Sequence, residues 1–124
     1  MTRDIDPPMH DLEIAEQHGD QGSTVRLRGR LNIDSSPALR DRLLALLQAQ
    51  SPPAVIVDFT DVSHIDSSGI ATLIEGLKIA RLRRTTLCLH GLQGRILHLF
   101  QVTGMSTLFE KGGCGSASAE SKVL

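Results

Sequence analysis

The alternation of apolar and polar positions changes period several times along the chain, and each change predicts an element. From His10 to Gln17, Leu12 and Ile14 alternate with polar neighbours, which predicts a short, half-exposed strand. Gly19-Asp20-Gln21-Gly22 reads as a turn. Beyond it Val25, Leu27 and Gly29 alternate with Arg26, Arg28 and Arg30, so the two runs form a β-hairpin with one apolar and one basic face. Ser35-Ser36-Pro37 is a helix start, a hydroxyl cap with proline in the first turn. Leu39, Leu43, Leu46 and Leu47 follow at helical spacing until Ser51-Pro52-Pro53 stops the helix.

Ala54-Val55-Ile56-Val57-Asp58-Phe59 is almost wholly apolar, the pattern of a strand covered on both faces. A loop from Thr60 to Asp66 then leads to a second helix near Ser67-Ser68, with Ile70, Leu73, Ile74 and Leu77 as its inward stripe. Thr86–His90 predicts another buried strand and Gly91–Gly94 a turn. A third helix carries Ile96, Leu99 and Phe100, is ended by Gly104, and is followed by a short apolar piece, Met105–Phe109. Residues 1–9 read as a flexible lead and residues 111–124 as a disordered Gly/Ser-rich tail, leaving one domain over 10–110. The order β-β-α-β-α-β-α implies right-handed crossovers and an α/β fold, a mixed, largely parallel sheet flanked by helices.

Composition narrows the function classes. The chain has no Trp or Tyr and only Phe59, Phe100 and Phe109 among aromatics, so it lacks the stacking platforms that single-stranded nucleic-acid binding relies on. A net charge of −1 supplies no field toward nucleic acid or anionic lipid. The densest basic run, Lys78, Arg81, Arg83 and Arg84, falls at the end of the second helix, where cations complement the macrodipole. Cys88 and Cys114 form no CxxC pair; Cys88 sits in an apolar run as a small buried hydrophobe, and no disulfide framework or zinc site is expected. Neither a secretory leader nor a membrane-spanning run is legible, which points to a cytoplasmic protein with no direct membrane insertion.

The densest chemistry lies in Asp58-Phe59-Thr60-Asp61-Val62-Ser63-His64-Ile65-Asp66-Ser67-Ser68-Gly69-Ile70. A strand delivers the chain to an acidic loop, and the loop delivers two hydroxyls to a helix N-terminus. Free backbone N–H groups there favour an anion, a covalent phosphate included. Asp61 and Asp66 oppose one: at about 4 Å, two unit charges repel by about 1 kcal/mol in water. Two readings stand side by side. Asp66 or Ser67 caps the helix and Asp61 forms a turn, or a hydroxyl of the pair is a charge switch at the surface.

The run Asp66-Ser67-Ser68-Gly69-Ile70, preceded by Val55 to Ile65, resembles the signature of STAS domains. Leu27-Arg28-Gly29-Arg30-Leu31 with Ser36-Pro37-Ala38-Leu39, and Arg95 to Met105, are similar to that family's second strand, first helix and third helix. The resemblance spans about residues 10–110. It implies a non-enzymatic anti-sigma factor antagonist that binds an ATP-dependent serine kinase, itself an anti-sigma factor, and is switched when that kinase phosphorylates Ser67, with Ser68 beside it. ATP and catalytic residues then belong to the partner, and the chain itself needs no cofactor. The expected docking face comprises Asn32, Asp34, Ser35, Asp61, His64, Asp66, Ser67, Ser68 and Gly69. Asn32 stands where antagonists usually carry an acid, and Asp34 is the nearby acid to compensate. The alternative implied by the same resemblance is a small subunit docked on the permease–ATPase complex of a lipid-transporting ABC system.

Other chemistries fit poorly. A phosphorylated Asp58 of receiver type lacks the first-strand acidic pair for Mg²⁺ and has His90 where a Lys is needed. Ser67 or Ser68 as a hydrolase nucleophile lacks a G-x-S-x-G elbow and an orienting carboxylate for His64. His10, His18, His64, His90 and His98 show no paired spacing for a metal.

Overall fold

A computed structural model describes residues 11–50 and 52–109; the predicted lead and tail lie outside the described residues. Strands β1 (Leu12–Gly19) and β2 (Gly22–Leu31) form the expected hairpin, joined by Asp20-Gln21 and paired antiparallel with Leu12 opposite Gly29. Gly29 has φ +112, and a Cβ there would lie 2.3 Å from the Asp11 carbonyl oxygen, so no larger residue fits. Strand β3 (Ala54–Ile65) pairs parallel with β2 and with β4 (Thr86–His90), giving a four-stranded mixed sheet in the order β1-β2-β3-β4. Helices α1 (Ser36–Ala45), α2 (Ser67–Leu82), α3 (Gly94–Val102) and α4 (Met105–Phe109) complete the described chain.

Alternation along the strands sends Val25, Leu27, Val55, Val57, Phe59, Leu87 and Leu89 to one face, where all are buried. Leu39 and Leu43 of α1, Leu73 and Leu77 of α2, and Phe100 of α3 close that core, and Phe59 meets Phe100 edge-to-face at 6.0 Å between centroids. Each such side chain contributes about 1.5–3 kcal/mol by leaving water. A turn of π-helix, Leu46–Gln50, extends α1 and keeps both Leu46 and Leu47 buried.

Four expectations are corrected. The central strand is covered on one face only among the described residues: Ile56 is 39 % exposed, and Ala54 and Asp58 are half-buried. Its apolar run reflects strand propensity as much as burial. The predicted Thr60–Asp66 loop is strand through Ile65. The register explains why the sequence looked irregular: β3 spends one extra residue between Asp58 and Asp61 and another between Val62 and His64 relative to β2. The stripe of α2 is rotated as well. Its buried positions are Gly69, Thr72, Leu73, Gly76, Leu77 and Ala80, with Ile70 and Ile74 at the margin, because small residues bring this helix close to its neighbours. A Cβ on Gly76 would stand 3.3 Å from Leu43 Cδ1. Finally, Cys88 is half-buried between inward Leu87 and Leu89 and is disulfide-bonded; the other cysteine of the chain, Cys114, lies outside the described residues.

Candidate functional site

Two segments converge at the C-terminal ends of β2 and β3: the turn Asn32–Ser35 leading into α1, and Asp66 leading into α2. Asp66 is the N-cap of α2. Its Oδ1 accepts the Ser68 N–H at 2.9 Å, the Gly69 N–H at 3.3 Å and the Ser68 hydroxyl at 2.5 Å. Hydrogen bonding from the Ser68 hydroxyl, opposed by burial and helped by the N–H groups of Gly69, Ser68 and Ile33, holds the Asp66 carboxyl below the usual carboxylate range. The Ile33 N–H belongs to the first turn segment, and the Asp66 N–H donates to the Leu31 carbonyl at 3.2 Å, so the two segments are tied together on both sides of one residue.

The serines divide the work. Ser68 Oγ, half-buried, donates to Asp66 and lies 3.0 Å from Ser36 Oγ, which is also 2.7 Å from the Asn32 carbonyl oxygen. Two hydroxyl protons therefore serve three contacts, and Ser68 is held in the network whichever way Ser36 points. Ser67 differs. It occupies the first position of α2, is exposed, and its hydroxyl makes no hydrogen bond to the described residues. Directly beneath, a Cβ on Gly69 would stand 2.7 Å from Leu31 Cγ and 2.9 Å from Ile65 Cγ1, so the first turn is seated on the sheet without room for a side chain.

The open helix end expected from the sequence is corrected here. The N–H groups of Ser68 and Gly69 are already occupied by the Asp66 carboxylate, so they are not free to cradle an anion. The acidic loop is corrected too: Asp61 is exposed on β3 opposite Arg28, five residues before Asp66, which on extended chain is about 15 Å. It does not crowd Ser67.

Asn32 is a structural residue in this arrangement. Its Oδ1 accepts the N–H of Asp34 at 2.9 Å and of Ser35 at 3.1 Å, while its Nδ2 donates to Asp11 Oδ2 at 3.1 Å. A carboxylate at position 32 would face that of Asp11, whereas the amide joins it. Asp34 stays exposed and offers the turn only its backbone N–H. Ser35 is buried, accepts the Asn32 N–H at 2.9 Å and donates to the Arg30 carbonyl at 2.8 Å. Of the nine anticipated residues, Asn32, Asp34, Asp66, Ser67 and Ser68 therefore cluster at the convergence. Ser35 and Gly69 support them from within, and Asp61 and His64 lie exposed along β3. Sequence reasoning placed Ser36 in a helix start and not in the site, because its pairing with Ser68 across 32 positions leaves no local signal. Among the described residues no group of three or more His, Cys, Asp and Glu gathers as a metal site.

Comparison with known proteins places this geometry. The family model described as "Mlab, STAS domain" matches residues 14–110. The anti-sigma-B factor antagonist of Listeria monocytogenes is 29 % identical over 99 residues, covering 80 % of this chain and 85 % of that protein. Among solved structures, an anti-sigma factor antagonist from Mycobacterium paratuberculosis superposes with a TM-score of 0.67 at 23 % identity, over 79 % of this chain and 82 % of that one. The Bacillus cell fate determinant SpoIIAA in its phosphorylated form gives 0.64 at 17 %, over 77 % and 86 %. At these identities the structural likenesses speak for the fold alone.

Proposed function

Because the chain belongs to the STAS domain family, we propose that it acts as a cytoplasmic anti-sigma factor antagonist, a binding regulator and not an enzyme, switched by phosphorylation of Ser67 by a partner anti-sigma kinase. The observation that carries the reading is the contrast within one dipeptide: Ser67 is exposed with an unengaged hydroxyl, and Ser68 is held by Asp66. The curated relative named above is an anti-sigma-B factor antagonist. The lipid-transport alternative is not favoured by that relative. No described helix is long and apolar enough to cross a membrane.

The chemistry of the switch follows from the occupied cap. A phosphoserine brings about −1.5 to −2 charges and three acceptor oxygens. With the Ser68 and Gly69 N–H groups bound to Asp66, a phosphate on Ser67 stands in solvent beside a carboxylate. The core is untouched; the charge of the docking face changes. Asn32, Asp34, Asp66, Ser67 and Ser68 form the centre of that face, with Asp61 and His64 at its flank, and the kinase supplies ATP and the catalytic groups.

The test is to incubate the chain with its cognate kinase and ATP and weigh it intact. Wild type gains one phosphate, Ser67→Ala gains none, and chain with ATP alone gains none. Ser67→Asp binds the kinase at least tenfold more weakly than wild type, and Ser67→Ala binds within about twofold. Phosphate on the Ser67→Ala chain, or equal binding by both variants, overturns the reading.

A further inference from the structure

Behind the Ser67 face, the last residues of β3 and the outer side of α3 enclose a cleft of about 330 Å³ that the proposed switch does not use. Ser63, His64 and Ile65 form one wall. Arg95, His98, Leu99 and Val102 form the other, at the i, i+3, i+4, i+7 spacing of one helix face, with mostly buried Ile96 at its base, while Phe100 turns into the core. Ile65, Ile96, Leu99 and Val102 make the interior apolar, and Val102 is 63 % exposed with no described element packed over it. The polar groups at the rim are one guanidinium, two imidazoles and a hydroxyl; no carboxylate lines it. Arg95, His64 and His98 have no ion-pair partner among the described residues, whereas Arg26, Arg40 and Arg42 are each paired with an acid. A volume near the lower end of ligand sites, ~300–1,000 Å³, suits a small molecule.

We infer that this cleft binds a small amphiphile, an apolar body against Ile65, Ile96, Leu99 and Val102 with a single anionic head held by Arg95 and the two imidazoles. The charge pattern selects the head: a cationic rim with no lining acid, on a chain of net charge −1, favours a carboxylate or phosphate monoester over a cation or a neutral group. The apolar floor selects the body, because a bare inorganic anion leaves the exposed Val102 and the open side of half-buried Leu99 in water. The occupant also reaches the first turn of α2. Ile65 lines the cleft, and the same side chain is the one a Gly69 Cβ would strike at 2.9 Å. Binding itself does not depend on the phosphorylation of Ser67.

Titration of the ¹⁵N-labelled chain with decanoate, decyl phosphate and decanol tests this. Decanoate and decyl phosphate give saturable shifts at 63–65, at 95–102 and at Gly69, with dissociation constants below about 1 mM. Decanol binds at least tenfold more weakly. Arg95→Glu, at an exposed position that leaves the fold intact, weakens both anions by tenfold or more, and Val102→Asn weakens them by removing apolar floor without adding charge. Shifts scattered over the surface, equal affinity for decanol and decanoate, or binding indifferent to Arg95→Glu each overturn the inference. Binding of inorganic phosphate as tight as that of decyl phosphate overturns the role given to the apolar floor.

Discussion

Two helices in this molecule begin with a pair of serines, and the pairs do opposite things. At the start of α1, Ser35 and Ser36 are both buried, 7 % and 4 % exposed, and both hydroxyls are turned back onto the strand they leave. Ser35 makes no side-chain cap bond to α1, because Asn32 has already turned the chain and the hydroxyl satisfies Arg30 and Asn32 instead. At the start of α2 an acid stands one position earlier. Asp66 performs the capping, Ser68 is drawn into it, and Ser67 is left facing water with nothing to do in the folded state. The serine pairs are alike in type; α1 has no side-chain cap bond and α2 is capped by an acid, and that difference decides whether the adjacent serine is structural or available.

The strongest way to break the second arrangement is to lift α2 off the sheet. Gly69→Val places its first carbon within 2.9 Å of both Leu31 and Ile65, closer than carbon contacts allow, so a side chain or the helix itself must shift. Overpacking of this kind costs about 1–3 kcal/mol. Urea denaturation should show that loss with an unchanged m-value. A loss under about 0.5 kcal/mol would mean the first turn floats, and the seating described for Ser67 would be wrong.

A matched pair of alanine substitutions sharpens the comparison itself. Ser35→Ala removes the partner of the Asn32 N–H and of the Arg30 carbonyl at a part-buried site, at about 1 kcal/mol. Ser67→Ala removes an exposed hydroxyl with no described partner and should change stability by less than about 0.5 kcal/mol. Equal losses at the two positions would erase the distinction between a structural and an available serine.

Much of this was legible in the sequence. The hairpin, the element order, the helix starts at Ser35–Pro37 and Ser67, and the leucines of α1 follow from period and punctuation alone. What escaped was information held by pairing between distant segments. The two extra residues of β3 exist only relative to β2, so 60–65 read as a loop, and Asp61 was drawn closer to Ser67 than strand geometry allows. The small-residue face of α2 is invisible to a search for apolar stripes, since Gly69 and Gly76 bury backbone in place of side chain. At the site, the residue types were readable but their assignments were not. Choosing between Asp66 and Ser67 as cap requires seeing the Ser68 and Gly69 N–H groups donate to Asp66, and the holding of Ser68 requires knowing that Ser36 stands 3.0 Å from it. The role of Asn32 likewise depends on Asp11, 21 positions earlier.

The smallest expected effect probes the cap that separates the two serine pairs. Asp66→Asn keeps a good N-cap, since Asn and Asp rank alike there, so the variant should match wild type closely at neutral pH. Acid distinguishes them. The Asp66 carboxyl is depressed in the folded state, chiefly by the Ser68 hydroxyl and then by the N–H groups of Gly69, Ser68 and Ile33. A depressed carboxyl stabilises the fold above its unfolded value of about 3.9 and loses that contribution as pH falls through the lower, folded value. Wild type should therefore carry an acid-side loss, below about pH 4, that the uncharged amide cannot show. Thermal unfolding of both chains from neutral pH down to about pH 3 measures it: the curves should start together and separate below about pH 4, wild type falling beneath the variant as acid removes the carboxylate's contribution. Parallel curves through that range would place the carboxylate outside the hydrogen-bond network, and Ser68 would then lose the partner that keeps it apart from Ser67.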